Sequence, residues 1–235
     1  TVIPGYTNMP VVDVSFWDTL RFANWMSNGE GNASTESGAY TILGNSPVPS
    51  NASSLLANPQ PNAGAAVWVP NQNQWYKAAY YDPANGTYST YATQSDVVPG
   101  NVVGNGTDEA NYISNNLYSV SQSSLNSPAT NYLTAVGSFT NSASYYGTYD
   151  QSGDVYDLLD SSTSSNVLVQ GGSWQQTTAS QISSSGAIAA GPGGDFSTIG
   201  FRVASIPEPS AVMLILTAAL GFGVSRRKRF IFNKP

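Results

Sequence analysis

The sequence predicts an irregular α+β domain with two helices, short antiparallel strands and long loops, followed by an apolar C-terminal helix. Three observations support this. Two segments combine a short apolar run with a helical pattern of buried positions. Later apolar runs meet glycines, and the sequence between them is rich in Asn, Ser, Gly and Pro, which is typical of loops. We therefore place one domain at residues 1–205 and a tail at residues 206–235.

The first helix is predicted within residues 9–26, which begin as a short strand. Ser15 is a suitable N-cap, and Asp18 stands three positions later, as a capping box requires. Apolar residues then recur at helical spacing. The predicted buried stripe comprises Phe16, Leu20 and Ala23, with Trp17 and Trp25 as further candidates.

The second helix is predicted within residues 67–80, again after a short strand. Pro70 suits the first helical position, where its missing N–H costs nothing, and a helix of about ten residues follows. A strand is predicted at residues 167–170, where it ends at the pair Gly171 and Gly172. A further strand is predicted at residues 199–204.

Composition excludes several classes of function. The chain contains no Cys and no His, so Ser-His-Asp and Cys-His catalysis and the usual zinc, haem and iron–sulfur ligand sets are excluded. Residues 1–205 carry three basic and thirteen acidic side chains, a formal net charge of −10. Because such a surface has no basic face to contact phosphates, we expect no nucleic-acid partner.

The tail combines a Pro-Glu-Pro triplet, an apolar run and a basic end. Residues 211–224 are almost wholly apolar, and this run is shorter than the roughly 20 residues of a stable membrane span. The basic cluster after it would hold the C-terminal end on the cytoplasmic side. The residues that carry the pattern are Pro207, Glu208, Pro209, Arg226, Arg227, Lys228 and Arg229.

This tail resembles the PEP-CTERM sorting signal of Gram-negative bacteria, which an exosortase recognises. The resemblance implies export, a membrane-anchored intermediate at the inner membrane, and delivery to the cell surface or extracellular matrix. An ordinary single-pass anchor is the alternative. Because such a tail needs a signal peptide and none follows Thr1, we expect the N-terminus to be truncated.

Five motifs in the body occur in an ordered series. Residues 10–25 read P-V-V-D-V-S-F-W-D-T-L-R-F-A-N-W, and residues 69–79 read V-P-N-Q-N-Q-W-Y-K-A-A. Residues 153–158 (G-D-V-Y-D-L), 170–174 (Q-G-G-S-W) and 200–202 (G-F-R) follow. In that order they resemble the formylglycine-generating enzyme, or sulfatase-modifying factor, family. The resemblance implies a variant of the C-type lectin fold over about residues 8–204.

Two departures from the family pattern bear on function. The family's copper-binding cysteines stand three and eight residues after the Ser of the Gly-Gly-Ser motif, where this chain has Gln176 and Gln181. A carboxamide is a poor copper(I) ligand, so we expect no copper. The sequence thus favours a non-catalytic binding or matrix protein. A divergent enzyme of the family and a purely structural matrix component are the alternatives.

Two kinds of site are predicted on this scaffold. A groove for an extracellular glycan or peptide would lie at the family's active-site position, lined by Gln170, Trp174, Gln176, Gln181 and Ser184. The resemblance also implies calcium, which prefers oxygen ligands. One calcium site would use Gly153, Asp154, Val155 and Asp157, and a second would use Asn111 and Tyr112.

Overall fold

The structure is a computed structural model that describes residues 5–206. The chain divides into a compact unit, Thr1–Ala204, and a segment, Ser205–Pro235, of which Ser205 and Ile206 are described. The predicted apolar C-terminal helix and the sorting residues Pro207–Pro209 and Arg226–Arg229 lie outside the described residues. No helix among residues 5–206 has both the length and the apolar character that a membrane crossing requires.

The described residues form three α-helices, a 3₁₀ helix and ten short strands. The helices are α1 (Phe16–Ser27), α2 (Ala52–Ala57), α3 (Gln72–Tyr80) and the 3₁₀ helix Ala179–Ile182. The strands are β1 (Val67–Trp68), β2 (Tyr81–Asp82), β3 (Thr87–Tyr88), β4 (Gly104–Thr107), β5 (Phe139–Asn141), β6 (Tyr156–Thr163), β7 (Asn166–Gln170), β8 (Ile188–Ala190), β9 (Ile199–Phe201) and β10 (Ala204–Ser205). The prediction of two helices therefore missed the short helix α2, whose six residues bury only Leu56.

Helix α1 begins as the sequence predicted. The Ser15 hydroxyl oxygen accepts a hydrogen bond from the Asp18 backbone N–H, and the Asp18 carboxylate accepts one from the Ser15 backbone N–H. Phe16, Leu20 and Ala23 are buried, Trp17 joins them, and Trp25 is only half-buried. The strand expected before α1 does not form. Residues 10–14 are a loop in which Asp13 adopts a φ of 56°.

Helix α3 begins two residues later than predicted, at Gln72 instead of Pro70. Asn71, not the residue before it, is the N-cap: its side chain accepts from the Gln74 backbone N–H, and the Gln74 side chain accepts from the Asn71 backbone N–H. Pro70 thus precedes the cap and is not the first helical residue. An Asn N-cap provides a side-chain acceptor for an exposed helix N–H, whereas Val69, which would cap a helix that began at Pro70, has none.

The main sheet has four strands in the order β8-β7-β6-β9. Strands β6 and β7 form an antiparallel hairpin, and β8 extends it antiparallel to β7. Strand β9 pairs with β6 in parallel, as β4 does with β5, so the prediction of antiparallel strands alone was wrong. A parallel neighbour needs a long connection, and the loop-rich stretch between β7 and β9 provides it.

The core lies between α1 and this sheet. Phe16, Trp17 and Leu20 of α1 are in one buried cluster with Tyr156 and Leu158 of β6. A second cluster packs Trp75 and Tyr80 of α3 against Leu159 of β6. Strand β6 therefore contributes to both clusters, and its residues 156–160 are all buried.

A close backbone approach fixes the loop that leads into β6. Gly153 has a φ of 84°, and its N–H donates to the Gly171 carbonyl oxygen at 2.7 Å. A Cβ at Gly153 would lie 2.3 Å from the Asn111 carbonyl oxygen. This contact has no room for a side chain, and a positive φ disfavours one.

We expect Gly153→Ala to lower the free energy of unfolding by about 3 kcal/mol or more, because strain and overlap act together. Urea unfolding measures this change. Gly147→Ala is the matched control, since Gly147 has a φ of 75° but nothing within 4 Å of an added Cβ, and it should cost about 1 kcal/mol. Equal losses in the two variants would contradict the close approach.

Candidate functional site

A buried carboxylate, Asp157, joins three of the sequence motifs. Its Oδ2 atom accepts from the Trp75 indole N–H at 2.8 Å and forms an ion pair with the Arg202 Nε atom at 2.6 Å. The Asp157 side chain is 2% exposed, whereas that of Arg202 is 29% exposed. The remaining guanidinium N–H groups of Arg202 donate to the carbonyl oxygens of Tyr149 and Asp150.

The secondary structure brings these three side chains together. Asp157 lies in β6, where it stands opposite Gln170 of β7 and Gly200 of β9. Trp75 comes from α3, and Arg202 follows β9 directly. The central position of β6 therefore lets one carboxylate receive donors from a helix on one side and a strand end on the other.

A second buried carboxylate, Asp154, is bonded to Asn111. The Asp154 Oδ1 atom accepts from the Asn111 side-chain amide at 2.8 Å and from the Thr134 backbone N–H at 3.0 Å. Burial raises the pKa of Asp154 to about 7. Asn111 and Asp154, which the sequence assigned to two separate calcium sites, thus belong to one hydrogen-bonded group.

This group positions Trp174. The Trp174 backbone N–H donates to the Asp154 carbonyl oxygen at 2.9 Å. The indole ring stacks on Tyr132 with a centroid separation of 5.0 Å and an interplanar angle of 15°. Tyr118 packs against both rings, 4.5 Å from Tyr132 and 6.2 Å from Trp174. Three aromatic side chains from distant parts of the chain therefore form one cluster.

A cavity of about 240 Å³, here called the Trp174 pocket, opens beside this cluster. Trp174 and Tyr132 provide aromatic surface, and Asp13, Asn131 and other polar residues complete the wall. Its lining residues are Tyr6, Val12, Asp13, Asn126, Ser127, Pro128, Thr130, Asn131, Tyr132, Leu133, Trp174 and Ser197. Aromatic surface beside a few polar groups is the usual composition of a small-ligand pocket.

The structure does not bring the five predicted groove residues together in this pocket. Trp174 lines it, but Gln170 is fully buried and its side-chain N–H donates to the Ser184 carbonyl oxygen at 3.2 Å. The Gln176 amide N–H donates to the Ser173 hydroxyl at 3.3 Å. Gln181 is exposed and accepts from the Thr178 hydroxyl at 2.9 Å. Only Trp174 therefore contributes to both the predicted groove and the cavity.

The predicted calcium ligands do not, as arranged, fit a calcium ion. Asp157 is already paired with a guanidinium, Asp154 accepts two N–H donors, and the Tyr112 carbonyl oxygen accepts from Asn101. Within residues 5–206, no three Asp or Glu side chains are grouped to hold a metal. A hard cation needs oxygen atoms that other donors do not occupy. Calcium binding remains a prediction, and these contacts argue against it.

Several residues that line the Trp174 pocket could not be predicted from a sequence pattern. Asp13 and Tyr6 precede α1, and Asn131 and Tyr132 lie in a loop, so no helical or strand periodicity marks them. The nearest to a sequence signal is the residue type of Asp13. Its φ is positive, and Asp and Asn tolerate that conformation better than most residues. Such residues meet only in the folded chain.

Comparison with known protein families identifies a sulfatase-modifying-factor domain. Residues 1–206 match the family described as the sulfatase-modifying factor enzyme 1-like domain. The chain belongs to this family, which confirms the resemblance seen in the five motifs. No curated protein is significantly similar to it in sequence.

Solved structures share the fold at low sequence identity. Treponema denticola variable protein 1 is 17% identical, with a TM-score of 0.52, over 88% of this chain and 75% of that chain. A structure titled "Crystal Structure of CarF" is 21% identical, with a TM-score of 0.51, over 87% of this chain and 70% of that chain. At these identities the similarity concerns the fold alone.

We expect Arg202→Met to lower the free energy of unfolding by about 3 kcal/mol at pH 7, because it leaves Asp157 buried without its cation. Urea unfolding measures the loss. The double variant Asp157→Asn with Arg202→Met should lose less than the sum of the two single variants. Strict additivity would show that the ion pair does not couple the two residues.

Calcium provides a second test of this cluster. Because Arg202 already neutralises Asp157, we expect millimolar CaCl₂ to leave the midpoint of thermal unfolding unchanged relative to MgCl₂ at equal ionic strength. A rise of several degrees with Ca²⁺ alone would instead support the calcium site that the family resemblance implies.

Proposed function

We propose that this chain is an exported, surface-sorted binding protein that uses the sulfatase-modifying-factor scaffold without copper oxidation. The single observation that carries the proposal is the identity of two residues. Gln176 and Gln181 stand where the family has its copper-binding cysteines, and both side chains are engaged in hydrogen bonds to neighbouring hydroxyls. Copper(I) binds thiolates strongly and amides poorly, so the oxidation lacks its metal site.

The Trp174 pocket is the proposed binding site. It adjoins the Gly-Gly-Ser motif, where the family places its active site, and it combines aromatic rings with Asp13 and Asn131. A sugar packs its C–H face on an aromatic ring and bonds its hydroxyls to amides and carboxylates, so the lining suits a glycan. A peptide with an aromatic or amide side chain is the alternative ligand for the Trp174 pocket, because it can make the same two kinds of contact.

Export and sorting depend on the tail. The order Pro207-Glu208-Pro209, apolar run and Arg226–Arg229 supports an exosortase-type protease as a processing partner. Under this proposal the tail inserts into the inner membrane as an intermediate, and the protein is then delivered to the cell surface or extracellular matrix. Charged residues make up only 9% of the chain, against about 25% in an average protein, and a surface with few charges fits an extracellular protein.

We expect Trp174→Ala to reduce binding of a glycan or peptide at least tenfold, because the pocket loses its aromatic wall. An array of glycans and peptides probed with the full chain identifies the ligand, and titration calorimetry then compares the variants. Tyr146→Ala is the matched control, since Tyr146 is exposed but does not line the pocket. Asp13→Asn, which keeps the left-handed backbone, tests the polar wall without disturbing the aromatic stack.

Two results would contradict the proposal in different ways. Conversion of a Cys-x-Pro-x-Arg peptide to formylglycine by the chain would show a divergent enzyme of the family. No bound glycan or peptide on the array, with the chain folded by circular dichroism, would favour a purely structural matrix component.

A further inference from the structure

A second cavity, of about 340 Å³, is here called the Arg202 cleft, and most of its lining is apolar. The charged lining residues are Asp150, Asp157 and Arg202, of which the last two neutralise each other as an ion pair. The cleft shares no lining residue with the Trp174 pocket, so the two can be tested separately. Its apolar wall comprises Val11, Phe22, Val136, Val155, Phe201 and Val203.

Three apolar side chains of the cleft are accessible to solvent. Val11 is 59% exposed, Val136 is 65% exposed and Phe22 is 37% exposed. The Phe22 ring packs against Phe201 at 5.2 Å between centroids and against Trp25 at 5.6 Å. The apolar surface therefore extends beyond the cleft to an indole that is itself only half-buried. A contiguous exposed apolar surface of this kind marks a contact with a partner or a membrane.

The cleft stands close along the chain to the tail. Val203 lines it, and the apolar run that the proposed function inserts into the membrane begins at Ala211, eight residues later. Eight residues span at most about 29 Å, even when fully extended. While the run is in the bilayer, the cleft is therefore tethered near the membrane surface. A short tether raises the effective concentration of one surface at the other, so even a weak contact forms.

An uncharged lipid surface matches the chemistry of this face. Trp25 and Tyr149 combine an aromatic ring with a polar group, the composition that favours the boundary between water and membrane. Asp150, the third charged lining residue, is half-buried and accepts from the Gly137 backbone N–H at 2.7 Å. The formal charge of −10 on residues 1–205 repels anionic headgroups, which favours zwitterionic lipid.

We propose that the Arg202 cleft and Trp25 form a face that contacts a zwitterionic lipid surface while the tail anchors the protein. The exposed side chains of Val11, Phe22 and Val136 then enter the boundary between headgroups and acyl chains. This inference rests on the membrane-anchored intermediate of the proposed function, and it adds which face of the domain meets the membrane. It does not involve the Trp174 pocket.

Single-cysteine labelling tests the contact, because the chain has no Cys of its own. Val136→Cys and Val97→Cys in the full chain each receive the fluorophore NBD; Val97 is 70% exposed but does not line the cleft. We expect aqueous iodide to quench the Val136 label about threefold less on phosphatidylcholine vesicles than without them, since the label then lies about 5–10 Å inside the boundary. Quenching of the Val97 label should not change, and equal protection of the two labels would overturn the proposal.

Val11→Asp and Val98→Asp are a matched pair of variants for the same measurement. The two valines are 59% and 54% exposed, and each substitution adds one negative charge. In chains that carry the Val136 label, Val11→Asp should restore quenching by iodide, since an unpaired charge is costly in an apolar environment. Val98→Asp should leave the label protected. Equal effects of the two variants would mean that general charge repulsion controls the contact, which also contradicts a specific face.

Flotation of the vesicles separates this inference from the proposed function. A chain that does not float with the vesicles contradicts insertion of the tail and, with it, the lipid contact. A chain that floats while iodide quenches both labels as it does without vesicles overturns the lipid contact alone. Protection of the Val136 label that rises with protein concentration in the absence of vesicles would assign the cleft to a second copy of the chain, and it too would overturn the proposal.

Discussion

The buried carboxylate of Asp157 is the interaction on which the rest of this fold depends. It receives donors from both the helix α3 and the end of strand β9, through Trp75 and Arg202. A buried charge is tolerated only when it is paired and hydrogen-bonded. Asp157 therefore constrains α3, β6 and β9 to a single arrangement, although α3 and β9 are separated by more than a hundred residues of mostly irregular chain.

That constraint extends to the candidate site through backbone contacts. The loop before β6 carries Gly153 and Asp154, whose N–H and carbonyl groups bond to Gly171 and Trp174. Because this loop is held against Asn111, the Trp174 ring is placed on Tyr132 in a chain that has no cysteine to form a disulfide. The side chains of Gln176 and Gln181 lie outside this buried network.

Polar groups have different surroundings in the Trp174 pocket and in the buried core. The Trp174 pocket is lined by aromatic rings together with polar side chains such as Asp13 and Asn131. Asp160 is buried, and this burial raises its pKa to about 7. Asp154 is also buried with a raised pKa, but both Asn111 and Thr134 already donate to it, which leaves it a structural role.

The sequence by itself determined the family, the capped helix α1, the approximate position of α3 and the strand that ends at Gly171. These follow from local rules: capping boxes, helical spacing and glycine positions need only a few neighbouring residues. Tertiary structure alone decided the parallel pairing of β9 with β6, the burial of Gln170 and the meeting of Asp13 with Trp174. Each of these depends on which distant segments pack together, and long-range packing leaves no periodic pattern in the chain. The same reason applies to Asp157, which the sequence presented as a calcium ligand and the fold pairs with Arg202.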